Sequence, residues 1–225
     1  MAQHSSLSIP RILNSAKAGS VRYQSVSAAY THNAPSEGTS STPDNLTTSQ
    51  RKELQSAIRV DQAGELAANA IYQGQLFVLG GDKEVGPVIQ DMWEQEKKHF
   101  KIMNQLQIQH RARPTALWEV ARVAGFGLGA VTALMGKEAA MACTEAVETA
   151  IGEHYDDQLK EFAQFPQEHP SIPLFRQIVE EFRDDELEHL DTAVDHNSQR
   201  APAHALLTAI IQQGCNVAIE ACKRV

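Results

Sequence analysis

The chain lacks several features that mark common classes of protein. Its three cysteines, Cys143, Cys215 and Cys222, have the spacing of neither a zinc site nor a disulfide framework, which indicates free thiols in a reducing compartment. Cys143 and Cys222 are expected in the core. No Gly-x-Gly-x-x-Gly motif occurs, so no dinucleotide-binding fold is predicted. Acidic residues exceed basic ones, 28 to 20, without a basic stripe, so nucleic acid is not an expected partner.

The first 36 residues contain no Asp or Glu at all. They carry Arg11, Lys17 and Arg22 among serines, alanines and apolar residues, which is typical of a mitochondrial transit peptide. The alternative is an N-terminal tail that is simply disordered. The sequence therefore predicts a transit peptide over residues 1–36, disordered or cleaved, a polar linker over residues 37–49, and one domain over residues 50–225.

The rest of the chain predicts an all-α protein with six helices. Helix signals place them at about residues 47–79, 83–110, 115–135, 137–162, 174–197 and 202–222. The third and sixth helices are unusually apolar. The uncharged part of the third is too short to span a bilayer, which takes about 20 residues. Gly125 and Gly129 permit a close helix contact there, either between protomers or within a membrane. This helix is either a buried crossover or a surface that dips into lipid.

Two copies of Glu-x-x-His give the main chemical signal. They are Glu96-x-x-His99 and Glu186-x-x-His189. Residues three apart share one face of a helix, so each pair can reach the same metal ion. Glu65 precedes the first motif by 31 residues and Glu148 precedes the second by 38, which fits a duplicated helical hairpin. Four Glu and two His are the ligand set of a di-iron centre in a four-helix bundle, and four carboxylates balance two Fe(II).

Polar residues next to these motifs are further candidates. A carboxylate at Asp185 could accept the free N–H of a ligand histidine on another helix, and Asp61 has a similar claim. The alternative for Asp185 is a solvated acidic face. Tyr155 lies two turns after the glutamate of the fourth helix and is either near the site or a core tyrosine. His154 is a further candidate, whereas His110 and the remaining histidines are expected on the surface.

Four segments resemble the motifs of the demethoxyubiquinone hydroxylases of ubiquinone biosynthesis. They are residues 59–65 (RVDQAGE), 95–99 (QEKKH), 143–148 with 153–155 (CTEAVE and EHY), and 182–189 (FRDDELEH). The resemblance covers residues 50–225, with an insertion around residues 163–173. It implies a ferritin-like bundle, and it implies that two iron ions are bound by the glutamates and histidines named above, with Glu96 and Glu186 as bridging ligands. It also suggests that Tyr155 relays a proton or an electron.

The resemblance further implies a function and a location. The expected enzyme uses O2 to hydroxylate the ring of a demethoxylated ubiquinone precursor, the penultimate step of the pathway, with an external electron donor such as NADH. The expected location is the matrix face of the inner mitochondrial membrane. Expected partners are a lipid-binding accessory protein, the other ubiquinone-synthesis enzymes and a second copy of the chain. The alternatives are a ferritin-like iron-storage or peroxide-reducing protein and a non-catalytic quinone-binding scaffold.

Overall fold

A computed structural model describes residues 25–30 and 35–225 of the chain. Within these ranges the protein is all-α, as predicted, with two 3-10 helices, Val26–Tyr30 and Ser198–Arg200, and no strand. The α-helices are α1 (Glu37–Ser40), α2 (Thr48–Leu79), α3 (Gly86–His110), α4 (Trp118–Leu134), α5 (Lys137–Phe162), α6 (Ser171–Asp195) and α7 (His204–Cys222). The helices α2 to α7 correspond to the six predicted from the sequence. The short α1 lies in the predicted linker.

The long helix α2 begins at a capping box. The Thr47 hydroxyl accepts a hydrogen bond from the Gln50 backbone N–H at 3.2 Å, and the Gln50 side chain accepts one from the Thr47 backbone N–H at 3.0 Å. These bonds satisfy two of the donors that a helix start leaves unpaired. The turn after α2 is closed by Asp82, whose carboxylate accepts from the backbone N–H groups of Glu84 and Val85 at 2.8 and 3.1 Å. Local chemistry therefore fixes where the first hairpin turns.

Two apolar clusters set the directions of the four long helices. One cluster joins the first half of α2 and of α6 to the second half of α3 and of α5. The other cluster joins the opposite ends of the same helices around Tyr72, Ile89, Met92 and Met141. The helices α2 and α6 therefore run parallel to each other, and α3 and α5 run antiparallel to both. The space between the two clusters lies near the middle of every helix.

The crossover helix α4 packs against α2 through glycines. A Cβ atom added at Gly129 would lie 2.0 Å from the carbonyl oxygen of Ile71, and one added at Gly125 would lie 2.7 Å from that of Ala67. On the other side of the contact, a Cβ at Gly74 would lie 2.2 Å from the carbonyl oxygen of Phe126. The glycine pair was expected to make a close contact between protomers or within a membrane, and it makes that contact with α2 of the same chain instead.

The helices α4 and α7 both pack against α2 and α5. Leu128 of α4 and Leu207 of α7 both pack against the cluster formed by Ile71, Cys143 and Val147. Among the described helices, α7 alone is long and apolar enough to cross a membrane by length and composition. Only 11% of its most apolar 18-residue stretch is buried in the protein. A single helix of this kind is weak grounds for a membrane span. The outward faces of α4 and α7 leave several apolar side chains exposed: Val120, Val123, Val131, Leu134, Leu206, Ile210 and Val217.

The described part of the predicted transit peptide and linker packs on the bundle. Ser27 donates hydrogen bonds to the Glu181 carboxylate of α6 through its backbone N–H at 3.0 Å and its hydroxyl at 2.9 Å. The side chain of Gln109 at the end of α3 donates to the carbonyl oxygens of Gly38 and Ser41 at 2.9 and 2.7 Å. Residues 1–24 and 31–34 lie outside the described part, so the domain assignment stays a prediction.

His110 is a correction to the sequence analysis. It was expected on the surface, but it is 3% exposed at the end of α3. Its Nδ1 atom lies 2.9 Å from the Thr42 hydroxyl, so the segment before α2 covers it. Burial lowers the pKa of His110 to about 4, with a smaller contribution from the charge of His169. The histidine became buried because a polar segment folds over it, which the local pattern of α3 does not reveal.

Candidate metal centre

Six acidic and imidazole side chains meet at the middle of the bundle. They are Glu65 on α2, Glu96 and His99 on α3, Glu148 on α5, and Glu186 and His189 on α6. All are buried, each with at most 3% of its surface exposed. They form two groups of four whose donor atoms lie within 4.8 Å of one another. Glu96 and Glu186 belong to both groups, so the arrangement offers two adjacent cation positions that share two carboxylates.

The two histidines face the shared carboxylates through the same ring atom. His99 Nδ1 lies 3.3 Å from Glu186 Oε1 and 3.7 Å from Glu65 Oε2. His189 Nδ1 lies 3.2 Å from Glu96 Oε1 and 3.1 Å from Glu186 Oε2. Each motif therefore points its imidazole and its carboxylate inward, because residues three apart lie on one face of a helix.

Burial of so many charges shifts the pKa values of the site in opposite directions. Burial raises the pKa of Glu65 and of Glu148 well above the usual range, and the neighbouring carboxylates raise both further. Burial acts the same way on Glu186, but hydrogen bonds and charge from His189 and His99 outweigh it and lower its pKa to about 2. Burial would lower the pKa of His189, yet its bonds to Glu186 and Glu96 raise it to about 11.

The donor set fits a pair of divalent cations. Within the described part of the chain, Glu65 Oε2, Glu96 Oε2 and Glu148 Oε2 are buried oxygens that accept no hydrogen bond. Buried polar atoms are nearly always paired, and unpaired ones call for an explanation such as a bound ion. Carboxylate oxygens with imidazole nitrogens suit iron, and no thiolate belongs to either group of donors. Carboxylates bind metal ions in the deprotonated form, so two bound cations would stabilise the charges of Glu65 and Glu148 that burial disfavours.

Asp185 and Phe182 contact His99 from the following helix hairpin. Asp185 Oδ2 lies 3.0 Å from His99 Nε2, the ring nitrogen that faces away from the cation positions. The Phe182 ring stacks on the imidazole with centroids 3.9 Å apart. An aspartate at this position fixes the ring orientation and directs the lone pair of Nδ1 toward the site.

Two tyrosines contact Glu65 and Glu148, each of which belongs to only one of the two donor groups. Tyr155 donates a hydrogen bond to Glu65 Oε1 at 2.6 Å, and Tyr72 donates one to Glu148 Oε1 at 2.7 Å. Burial raises the pKa of both phenols well above the usual value, so both are neutral donors. The sequence analysis overlooked Tyr72. It lies seven residues after Glu65, the same spacing that drew attention to Tyr155 after Glu148.

His154 and Asp61 form a separate pair beside the site. His154 Nε2 lies 3.2 Å from Asp61 Oδ1, and the Gln158 amide donates to both Asp61 oxygens at 3.0 Å. Asp61 therefore contacts His154 rather than one of the two histidines in the metal groups. Burial raises its pKa, and the bonds from His154 and Gln158 oppose that effect. The structure thus places Asp61 and His154 outside the two groups of donors.

Asn69 is a second residue that the sequence analysis missed. Its amide donates to the backbone carbonyls of Glu65 and Glu96, both at 2.9 Å, and its oxygen accepts from the Trp93 indole at 3.1 Å. One side chain therefore ties α2 to α3 at the level of the site. A buried asparagine in the middle of a helix is the signal that would have found it, since helix interiors disfavour this residue.

Comparison with known proteins gives a consistent set of relatives. The family model described as ubiquinone biosynthesis protein COQ7 matches residues 52–222. The chain is 51% identical over 179 residues to the mitochondrial NADPH-dependent 3-demethoxyubiquinone 3-hydroxylase of Mus musculus, covering 79% of each chain. It is 46% identical over 191 residues to the mitochondrial 5-demethoxyubiquinone hydroxylase of Saccharomyces cerevisiae, covering 80% of this chain and 82% of the relative.

The similarity extends to a bacterial protein. The chain is 44% identical over 168 residues to the 3-demethoxyubiquinol 3-hydroxylase of Rhodospirillum rubrum, covering 75% of this chain and 76% of that protein. The matched region of the family model begins about one turn into α2, reaches the end of α7 and contains every residue of the two donor groups.

Proposed function

This chain belongs to the COQ7 family of ubiquinone biosynthesis proteins, and on that premise we propose that it is an O2-dependent di-iron monooxygenase acting on a demethoxylated ubiquinone precursor. The mouse, yeast and bacterial relatives are all named as hydroxylases of a demethoxylated ubiquinone or ubiquinol. The observation that carries the proposal is the pair of buried donor groups that share Glu96 and Glu186.

The six donors would hold two iron ions. Glu65 and His99 would serve one ion, Glu148 and His189 the other, and Glu96 and Glu186 both. When bound, two Fe(II) ions would supply two electrons for the reduction of O2, the chemistry by which one oxygen atom would go to the quinone ring and the other, with two protons, to water. The stacked Phe182 and the apolar clusters at both ends exclude water from the donors, which strengthens electrostatic interactions there.

Residues beside the donors hold them in place. Asp185 would keep His99 in the tautomer that presents Nδ1 as the lone-pair donor. The Tyr155 hydroxyl oxygen lies 2.6 Å from Glu65 Oε1 and donates its proton to that hydrogen bond, which supports a role in proton transfer. His154 lies one step further out, beside Asp61, and is proposed to link that carboxylate to solvent.

The electrons for each turnover come from outside the chain. The mouse relative is named as NADPH-dependent, which supports a reduced nicotinamide, NADPH or NADH, as their source. The sequence carries no dinucleotide-binding fingerprint. The electrons are therefore proposed to arrive through a separate reductase, or from a nicotinamide bound without a dedicated domain, or through the quinone itself.

The location proposed is the matrix face of the inner mitochondrial membrane. The relatives from mouse and yeast are named as mitochondrial. The helices α4 and α7 pack against a shared buried cluster, and their exposed apolar faces suit a lipid surface that holds an isoprenoid quinone. A lipid-binding accessory protein, the other ubiquinone-synthesis enzymes and a second copy of the chain are the proposed protein partners.

Metal content and quinone analysis together test the function. We expect purified protein to bind about two iron ions per chain, and Glu186→Ala to lose them because it removes a shared carboxylate. Cells without the protein should accumulate demethoxyubiquinone, measured by liquid chromatography with mass spectrometry, and the wild-type gene should restore ubiquinone whereas the Glu186→Ala gene should not. Glu188→Ala is the matched control, since this exposed glutamate lies on the opposite face of α6 and should leave both readouts unchanged.

The same experiment separates the alternatives. Normal ubiquinone in cells without the protein would reject the hydroxylase while leaving an iron-storage or peroxide-reducing role open to direct assay. Bound isoprenoid without iron, together with full rescue by the Glu186 variant, would instead favour a quinone-binding scaffold.

A further inference from the structure

Two tyrosines repeat at equivalent positions in the two helical hairpins, each seven residues after a donor glutamate. On α2, Tyr72 follows Glu65 by seven residues, and on α5, Tyr155 follows Glu148 by seven residues. Each tyrosine bonds the glutamate of the other helix: Tyr72 donates to Glu148 at 2.7 Å and Tyr155 donates to Glu65 at 2.6 Å. Both side chains are 1% exposed, so water does not compete for these bonds.

The two oxygens of each bonded carboxylate have different surroundings. The Oε1 atoms of Glu65 and Glu148 accept the phenol hydrogen bonds. Their Oε2 atoms are buried and accept no hydrogen bond within the described chain. Oε2 of Glu65 lies on the side of His99 Nδ1, 3.7 Å away, so it faces the cation position rather than the tyrosine.

We propose that Tyr72 and Tyr155 are a matched pair of positioning residues that hold Glu148 and Glu65 to one-oxygen coordination of the two metal ions. Turning Oε1 toward an ion would leave a buried hydroxyl without its acceptor, which is unfavourable. Each of these glutamates therefore offers one oxygen, and each ion keeps a coordination position free for O2 or substrate. The inference rests on the proposed di-iron function and deepens it.

Tyrosine-to-phenylalanine variants test the role directly. Tyr72→Phe and Tyr155→Phe keep the rings, including the edge contact of Tyr72 with His189 at 6.1 Å, and remove only the hydroxyls. Tyr30→Phe is the control, because its hydroxyl bonds Gln109 on the outside of α3. Each protein is loaded anaerobically with two equivalents of Fe(II), and the coordination number of each ion is measured by near-infrared magnetic circular dichroism.

The expected result is specific to each variant. Tyr72→Phe should raise the coordination number of one ion, Tyr155→Phe that of the other, and the double variant both, while two ions remain bound throughout. Tyr30→Phe should match the wild type. Infrared difference spectra of the wild-type protein provide a second measurement. The frequency separation between the two carboxylate stretching bands differs between carboxylates that bind a metal through one oxygen and those that bind through two.

Three outcomes would contradict the inference. Unchanged spectra in both single variants with two ions bound would overturn it and leave the proposed function standing. Loss of an ion from either variant would also overturn it, because the hydroxyl would then be needed for binding itself. A wild-type protein that binds fewer than two ions would overturn the proposed function, and this inference with it.

Discussion

Side chains near the site form contacts between residues on different helices. Asp185 of α6 contacts His99 of α3, and Asn69 of α2 bonds the backbone of Glu96 on α3. Each contact links two helices at the depth of the donors. The geometry of the donors therefore depends on side chains that do not themselves face the cation positions.

Replacing Asp185 tests that dependence. Asp185→Ala leaves His99 Nε2 without its carboxylate, so we expect metal affinity to fall about 10- to 100-fold, measured by anaerobic Fe(II) titration. Asp184→Ala is the control, because the exposed Asp184 carboxylate pairs with Arg183 at the surface and such pairs contribute little. Equal affinity in the two variants would show that Asp185 does not orient His99.

At the scale of elements, α4 depends on glycine where α2 approaches it. The Cβ of an alanine at Gly129 would meet the backbone oxygen of Ile71 at 2.0 Å, and a backbone atom cannot move aside as the end of a side chain can. At Gly127, two residues earlier, an added Cβ meets nothing within 4 Å. One helix thus carries a glycine that the contact requires and one that it does not.

These two glycines give a matched pair of stability predictions. Gly129→Ala should lower the free energy of unfolding by about 2 kcal/mol or more, because α4 must separate from α2. Gly127→Ala should raise it by up to about 1 kcal/mol, since alanine has the higher helix propensity. Urea unfolding followed by circular dichroism measures both, and a similar loss in both variants would disprove the close-contact explanation.

At the scale of the molecule, exposed apolar residues concentrate on the side of the bundle covered by α4 and α7. Val123 and Ile210 are 64% and 62% exposed and lie on these two neighbouring helices. Exposed apolar patches of this kind indicate an interaction surface. The proposed membrane location makes a lipid bilayer the expected contact.

Charge on this face should abolish lipid binding. We expect the double variant Val123→Glu, Ile210→Glu to stop cosedimenting with vesicles of mitochondrial lipid composition, because a carboxylate is costly to insert among apolar groups. Ile108→Glu is the control, since Ile108 is 78% exposed on α3, a helix outside the α4–α7 surface. Vesicle binding that falls equally in both proteins would place the lipid contact elsewhere.

Much of the whole molecule could be predicted because its helix signals are local. The start of the first helix near residue 47 and its end near residue 79 were predicted from neighbouring residues, because helix caps involve only residues within one turn. The burial of Cys143 and Cys222 was also predicted and is confirmed. The covering of His110 was missed, because the residues that cover it lie about 70 positions earlier in the chain.

The sequence by itself determined the helix order and the four donors of the two Glu-x-x-His motifs, because residues spaced three apart need only one turn of helix to face one way. The choice of Glu65 and Glu148 as the other two candidate donors rested on the order of the motifs and on the family resemblance. Only the tertiary structure decided which tyrosine bonds which glutamate, that Gly129 contacts α2 within the same chain, and that Asp61 contacts His154. The physical reason is that these contacts join different helices, and their distances follow from how the helices pack rather than from any spacing along the chain.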